Sequence, residues 1–146
     1  MILPDFKAFP KQGRIIGIDW GARRVGVAVS DETRQMVFTR PVIAGNDAVQ
    51  EIVKMVSDEK ISGIVLGLPL RTDGSESDTT KSVRGFANDL SSIVNVPICF
   101  IDETLSSISA QETMGRLRQS DIKQNLDSES ARLILENAIS IINRIK

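Results

Sequence analysis

Histidine and tyrosine are absent from this 146-residue chain, and cysteine and tryptophan each occur once. Without histidine, a Ser-His or Cys-His nucleophile pair, a histidine-based nuclease centre and histidine-ligated zinc are all excluded. The single cysteine, Cys99, excludes an internal disulfide, and its apolar surroundings in PICFI are typical of an inert buried thiol. Any catalysis must therefore use carboxylates, lysines, hydroxyls or a metal held by oxygen ligands, for which Mg²⁺ or Mn²⁺ is preferred.

The chain also lacks a long apolar run and an excess of either charge. No stretch is long enough to span a bilayer, and the proline-containing N-terminus does not resemble a secretory signal. We therefore expect a cytoplasmic protein with no membrane partner. A net charge of −1 argues against a generally basic nucleic-acid coat but allows a local patch. Residues 11–40 contain six basic residues and three acidic ones, which a solvated surface hairpin would also explain.

Apolar periodicity predicts one α/β domain over residues 14–146, preceded by a flexible tail over residues 1–13. The expected fold is a mixed five-stranded sheet, with a three-stranded antiparallel meander, two parallel strands and helices on both faces. Strands are predicted at 15–19, 24–30, 36–43, 63–69 and 96–102. Helices are predicted at 47–57, at 83–93, after Thr104 and at 131–145, while residues 115–126 give no clear pattern.

Acidic residues follow two of the predicted strands, where sites in open α/β sheets commonly form. Asp19 ends the first strand, and Asp102 with Glu103 ends the last one. Asp127 lies four residues before Ala131, on the core-facing side of the last helix and near its predicted start. Several convergent carboxylates without histidine predict a site for divalent metal, and a pair of ions in such a site can promote phosphodiester hydrolysis.

Each acid also has a simpler explanation. Asp19 is a suitable residue for capping a hairpin turn, and Asp127 for capping a helix. Asp102 and Glu103 precede a predicted helix, whose dipole would favour them. For each acid taken singly, the simpler explanation is at least as well supported as a ligand role. For the acids taken together, their positions favour a metal site.

Substrate contacts are predicted from the turns beside these acids. Gly21 allows a tight turn, and Arg23 and Arg24 lie within reach of phosphate, although a solvated turn is a close alternative. Arg71, Asp73 and Gly74 belong to the loop RTDGSES, which suits a phosphate cradle or a flexible flap. Trp20 either stacks on a base or covers an edge of the core.

Four segments resemble, in order, the signatures of the bacterial YqgF-type nuclease family: GIDWGARRVGVAVSD, GIVLGLPLRTDGSES, FIDETLSS and LDSESARLIL. The resemblance implies an RNase H-like fold and either trimming of the 5′ end of pre-16S rRNA or cleavage of Holliday junctions. It also implies catalytic roles for Asp19, Glu103 and Asp127, which with Asp102 would hold two Mg²⁺ or Mn²⁺ ions. Two departures stand out: Thr104 occupies a position where the family usually has arginine, and DSESA replaces an alanine pair.

Three functions remain open on the sequence. A metal-dependent nuclease of the cytoplasm is favoured, with pre-rRNA or branched DNA as substrate and ribosomal precursor particles as a further candidate partner. It would act as a monomer or a homodimer, and symmetric junction cleavage would require the homodimer. An ATP-binding fragment related to actin and sugar kinases needs two large lobes, for which this chain is too short. A non-catalytic nucleic-acid adaptor on the same fold is the third.

Overall fold

A computed structural model describes residues 1–102 and 119–145, with side chains described for 1–102 and 129–145. In these ranges the chain forms three α-helices and six strands, with a short 3-10 turn at Gly45–Asp47. The helices are α1 (Ala48–Asp58), α2 (Asp78–Ser91) and α3 (Gln119–Ile145). The strands are β1 (Ile2–Leu3), β2 (Arg14–Asp19), β3 (Arg24–Ser30), β4 (Val37–Ala44), β5 (Ile61–Leu68) and β6 (Ile98–Asp102).

The strands form a single mixed sheet in the order β1-β6-β5-β2-β3-β4. β2, β3 and β4 are an antiparallel meander, whereas β2, β5 and β6 run parallel. The predicted α/β fold with a mixed sheet is confirmed, and β1 adds a sixth strand to the expected five. β5 is buried along almost its whole length, which explains its continuous apolar run.

The first 13 residues pack against the sheet where a flexible tail was expected. Ile2 and Leu3 pair in parallel with Ile98 and Cys99. Phe6 and Phe9 are buried in an edge-to-face pair, with ring centroids 5.4 Å apart. A two-residue strand followed by proline carries no readable period, so only its tertiary pairing reveals it.

The two faces of the sheet are covered by different helices. The core on the side of α1 and α2 contains Ile16, Ile18 and Leu66. The core on the side of α3 contains Ile15, Val65 and Cys99, together with the helix residues Ala131, Ile134 and Leu135. Cys99 is buried, as its apolar neighbours predict, and burial raises the pKa of its thiol to about 11.

Two helices begin earlier than the apolar pattern predicts. α2 starts at Asp78 because Ser77 and Thr80 form a reciprocal capping box, a polar start that apolar spacing does not reveal. α3 starts at Gln119, in a polar segment that gave no clear pattern. Asp127 therefore lies inside α3 and not at its start, so a simple helix-capping role is wrong. The helix predicted after Thr104 lies outside the described residues.

Candidate active site at the carboxyl end of the sheet

The predicted strand-end acids Asp19 and Asp102 lie at the same edge of the sheet. β2, β5 and β6 are parallel neighbours, with Ile18 beside Leu66 and Leu68 beside Asp102. Two inter-strand spacings of about 4.8 Å separate β2 from β6, so the two backbones stand roughly 10 Å apart. This edge is where α/β sheets place their sites. Glu103 comes directly after Asp102 in sequence and lies outside the described residues.

Asp19 lies on the sheet face that α3 covers. Side chains alternate along β2: Ile16 and Ile18 belong to the core under α1 and α2, whereas Ile15 belongs to the core under α3. The same alternation places Gly17 and Asp19 on the α3 side. Asp19 is half-buried and pairs with Gly26 across the β2–β3 ladder. The carboxylate is thus held by a rigid strand at the boundary between core and solvent.

Gly17 allows α3 to approach β2 closely. A Cβ at this position would lie 2.8 Å from the Leu135 Cβ and 2.9 Å from the Ala131 carbonyl oxygen. Farther along α3, Ile139 and Asn143 share a cavity with Val37, at the opposite end of the sheet. α3 therefore runs antiparallel to β2, with its earlier residues toward the end that carries Asp19. The helix position of Asp127 is one turn before Ala131 in that direction.

The turn that follows Asp19 is held by contacts on two sides. The Gly45 N–H donates to the Arg23 carbonyl at 2.9 Å, and a Cβ on Gly45 would lie 2.2 Å from the Ala22 carbonyl oxygen. Gly21 has ordinary negative φ, and glycine is needed there because a Cβ would lie 2.6 Å from the Arg24 carbonyl oxygen. Arg23 is exposed and Arg24 is half-buried at this turn.

Trp20 covers an edge of the core. Its ring centroid lies 6.2 Å from that of Phe86 on α2, and the half-buried indole packs against the core under α1 and α2. Of the two roles that the sequence leaves open, the structure supports this packing role. Trp20 therefore holds the turn after Asp19 on the side of α2, and Gly45 holds it on the side of the 3-10 turn.

The loop predicted as a phosphate cradle is a small ordered hairpin at the end of β5. Leu70 and Glu76 form an antiparallel bridge, and the Gly74 N–H donates to the Arg71 carbonyl at 2.8 Å, with Gly74 at a φ of +86°. The Asp73 carboxylate accepts from the Ser75 hydroxyl and N–H, which lowers the pKa of Asp73. Asp73 therefore helps to shape the hairpin, while Arg71 is exposed.

An ion pair ties this hairpin to α2. The Arg84 guanidinium donates two hydrogen bonds of 2.9 Å to the Glu76 carboxylate, which lowers the pKa of Glu76. The same guanidinium lies over the Phe100 ring of β6, 5.3 Å from its centroid. Gly45, Glu76 and Arg84 are supporting residues that sequence reasoning missed. Their roles depend on tertiary contacts. Only for Gly45 does the surrounding turn-forming sequence suggest such a role.

The predicted metal ligands have the right chemistry, since carboxylate oxygens are the ligands that Mg²⁺ and Mn²⁺ prefer. Asp19 stands at the rim of the core, on the face toward which the earlier turns of α3 run. Among the side chains that the structure describes, no three acidic, cysteine or histidine residues form a cluster. The side chains of Glu103 and Asp127 lie outside that set. The residues present fit the donor set of an oxygen-ligand site, and Asp19 and the exposed Asp102 are the members of the predicted ligand set whose side chains the structure describes.

Solved structures with the same architecture define the fold. Thermus thermophilus RuvC superposes with a TM-score of 0.54 at 10% identity, covering 89% of this chain and 96% of RuvC. The same protein in complex with a Holliday junction substrate gives a TM-score of 0.51 at 11% identity, with 84% and 91% covered. The fold is therefore that of the RNase H-like resolvases.

Sequence comparison then identifies the family. A family model described as "RuvX: Holliday junction resolvase" matches residues 13–141, and the chain belongs to this family. A relative from Maridesulfovibrio salexigens named "Putative pre-16S rRNA nuclease" is 40% identical over 128 residues, which cover 84% of this chain and 95% of the relative. A relative of the same name from Paracoccus denitrificans is 36% identical over 142 residues, covering 91% and 87%.

The predicted resemblance to this nuclease family is confirmed, and the chain is a hydrolase acting on ester bonds of nucleic acid. In the described part of the chain, no helix has the length and apolar character needed to cross a membrane.

Proposed function

We propose that this protein is a metal-dependent nuclease that processes the 5′ end of pre-16S rRNA in the cytoplasm. The observation that carries the proposal is the position of Asp19: it ends a central strand, on the face against which Gly17 allows α3 to pack closely. The names of the relatives favour rRNA as the substrate. Precursor ribosomal particles are the expected partner.

The carboxylates of Asp19, Glu103 and Asp127 would hold the metal, with Asp102 nearby at the end of β6. Bound Mg²⁺ or Mn²⁺, as two ions, would supply activation of water and stabilisation of the leaving oxygen. Asp19 contributes a negative charge fixed by the backbone of β2, so little rearrangement is needed when a cation binds. The helical position of Asp127, on the same stripe as Ala131, supports its inclusion in the ligand set.

Arg23 and Arg24 would contact the phosphate backbone of the substrate. Arg23 belongs to the turn that follows Asp19, and Arg24 is the first residue of β3, directly after that turn. The turn is fixed by Trp20 and Gly45. Exposed Arg71 offers a third cationic contact from the hairpin at the end of β5, where Gly74 permits the tight turn. Phosphate contacts of this kind give position and affinity and carry no sequence information.

Cleavage of Holliday junctions is the second candidate, favoured by the description of the matched family. Resolution of a junction needs two symmetric cuts and hence a homodimer, whereas trimming of an RNA end is possible for a monomer. One side-by-side cleavage assay distinguishes the two functions. It compares a precursor rRNA end with a four-way DNA junction, in Mg²⁺ and in Mn²⁺.

We expect the RNA to be cut faster, and the Asp127→Asn variant to cut neither substrate. If a dimer cut the junction faster than the RNA, Holliday junction cleavage would become the favoured function. Failure to cut either substrate, with nucleic-acid binding intact, would favour a non-catalytic adaptor.

A further inference from the structure

The hairpin over residues 70–76 begins between the two strands that end in acids. It follows β5, and β5 lies between β2, which ends at Asp19, and β6, which ends at Asp102. Neighbouring strands lie about 4.8 Å apart, so the hairpin starts within one strand spacing of each acid-bearing strand. A cation on this hairpin is therefore well placed to meet phosphate that approaches these acids.

Arg71 is the cation that this hairpin carries. Its main chain is fixed on both sides, because its N–H donates to the Ser75 carbonyl at 2.9 Å and its carbonyl accepts from the Gly74 N–H at 2.8 Å. Its side chain is exposed and forms no ion pair with any residue that the structure describes. The place of the guanidinium thus depends on where the whole hairpin lies.

Polar contacts hold most of the hairpin against the body of the protein. Leu70 packs against the core, whereas residues 71–76 are exposed. At the base of the hairpin, the buried Thr80 hydroxyl of α2 donates to the Pro69 carbonyl. The bridge between Leu70 and Glu76 closes the neck. The arm that returns toward α2 then needs an attachment of its own.

Arg84 supplies that attachment. Its two hydrogen bonds of 2.9 Å to the Glu76 carboxylate form a bidentate pair, which fixes orientation as well as distance. The same guanidinium lies over the ring of Phe100, two residues before Asp102 on β6. The Arg84 and Glu76 side chains are 43% and 37% exposed, and ion pairs as exposed as this one contribute little to stability. Their contribution is therefore to the position of the hairpin more than to its stability.

We propose that Arg84 is a positioning residue of the nuclease site, which holds the hairpin through Glu76 so that Arg71 meets a substrate phosphate beside the strand-end acids. The proposal rests on the proposed nuclease function and adds the contact that places Arg71. Because its donors engage Glu76 and its face lies on Phe100, Arg84 acts through Arg71 and not on the substrate itself.

The Glu76→Ala variant tests the proposal by the sign of its effect on RNA binding, measured without metal. Removal of an acid makes the protein more positive, which by charge alone strengthens RNA binding. We expect binding to weaken instead by about ten-fold, because the charge-assisted contact of Arg71 is misplaced. Asp89→Ala is the matched control: it removes an exposed acid farther along α2 and should bind at least as tightly as native protein. Tighter RNA binding by folded Glu76→Ala would overturn the proposal.

A double-mutant cycle separates action through Arg71 from a direct contact of Arg84 with RNA. Arg84→Gln and Arg71→Gln should each weaken binding about ten-fold, and the double variant should bind no more weakly than Arg71→Gln alone. In cleavage, Arg84→Gln should raise KM for RNA and leave kcat nearly native. Lys81→Gln, an exposed cation on the same helix, measures the general effect of a lost charge. Independent, additive losses for Arg71→Gln and Arg84→Gln would overturn the proposal.

Hydrogen exchange tests the position of the hairpin without nucleic acid. In Arg84→Gln, the amides of Arg71 and Gly74 should exchange faster than in native protein, whereas the amides of β5 should keep their native rates. Hairpin amides that exchange at native rates would overturn the role of Arg84 and leave the nuclease function standing. Native protein that binds no RNA would overturn the proposed function, and with it the role of Arg71.

Discussion

The two faces of β2 are built for different purposes. On one face, the large side chains of Ile16 and Ile18 fill the core under α1 and α2. On the other face, Ile15 is followed by Gly17, which has no side chain, and then by Asp19 at the boundary with solvent. The first face stabilises the fold by filling volume. The second gives up volume so that α3 comes close to the strand that carries the proposed metal ligand.

This difference predicts that mutations on the two faces will separate stability from activity. Leu66→Ala, on the α1 and α2 face, should have the largest effect on stability, a loss of about 2–5 kcal/mol, because the side chain is fully buried. Its cleavage rate per folded molecule should be nearly unchanged at low temperature. Urea unfolding and an RNA cleavage assay measure the two quantities. If the cleavage rate per folded molecule fell in proportion to the free energy of unfolding, the two faces of β2 would not differ in their roles.

Gly17→Ala should lose less stability and more activity. The new Cβ would lie 2.8 Å from Leu135 Cβ, so α3 must move away from β2 at a cost of about 1–3 kcal/mol. Cleavage should fall more than about ten-fold, since small misplacements at a site are costly. Gly85→Ala is the matched control: it has open space around the new Cβ and should slightly stabilise α2. Full activity in folded Gly17→Ala would contradict the account.

Gly45→Ala should weaken substrate binding more than it weakens the fold. A Cβ at this position would lie 2.2 Å from the Ala22 carbonyl, so the turn that carries Arg23 must shift. Loss of about one phosphate contact should lower RNA affinity and reduce the slope of log affinity against log salt by about 1. Binding measured over a range of salt checks this in the absence of metal. An unchanged slope would show that the turn does not position a phosphate contact.

The reactivity of the buried Cys99 thiol measures how tightly α3 covers its face of the sheet. Of the four substitutions, that of Cys99 should have the smallest effect. Because burial raises its pKa from 9.0 to about 11, native protein should contain roughly a hundred-fold less thiolate at pH 8 and react slowly with alkylating agents. The raised pKa also predicts that the stability contribution is complete below pH 9 and is lost as the pH rises from 9 toward 11. Cys99→Ala should lack that loss. Rapid labelling of folded protein would mean that this face opens readily.

Much of the sheet could be predicted from the sequence because its strands are either alternating or continuously apolar. β3 matches its predicted range, and β2, β5 and β6 differ from theirs by one or two residues. β1 could not be predicted, because a two-residue strand has no period and exists through its pairing with Ile98 and Cys99. The start of α3 could not be predicted either, since its first turns lack an apolar stripe.

The strand-end positions of two acids of the proposed site could be predicted from the sequence, whereas the contacts around them could not. Strand-end position alone selects Asp19 and Asp102, and the structure brings both to one edge. Sequence could not decide between two roles for Trp20, because the answer depends on Phe86, which lies 66 residues later in the chain. The sequence predicts that Gly21 allows a tight turn, but the contact that requires glycine there comes from the structure: a Cβ would lie 2.6 Å from the Arg24 carbonyl oxygen.

The most direct test of the central claim is the cleavage of a labelled pre-16S rRNA 5′ end by Asp19→Asn in Mg²⁺ or Mn²⁺. The substitution keeps the shape of the side chain and removes the charge that would hold the cation. We predict that Asp19→Asn folds normally and that its cleavage rate falls by more than about 10–100-fold, which is the reduction typical when a residue that hydrogen-bonds to a metal ligand is lost. Asp89→Asn, an exposed acid on α2, should cleave at the native rate. Cleavage by Asp19→Asn at the native rate would contradict the account.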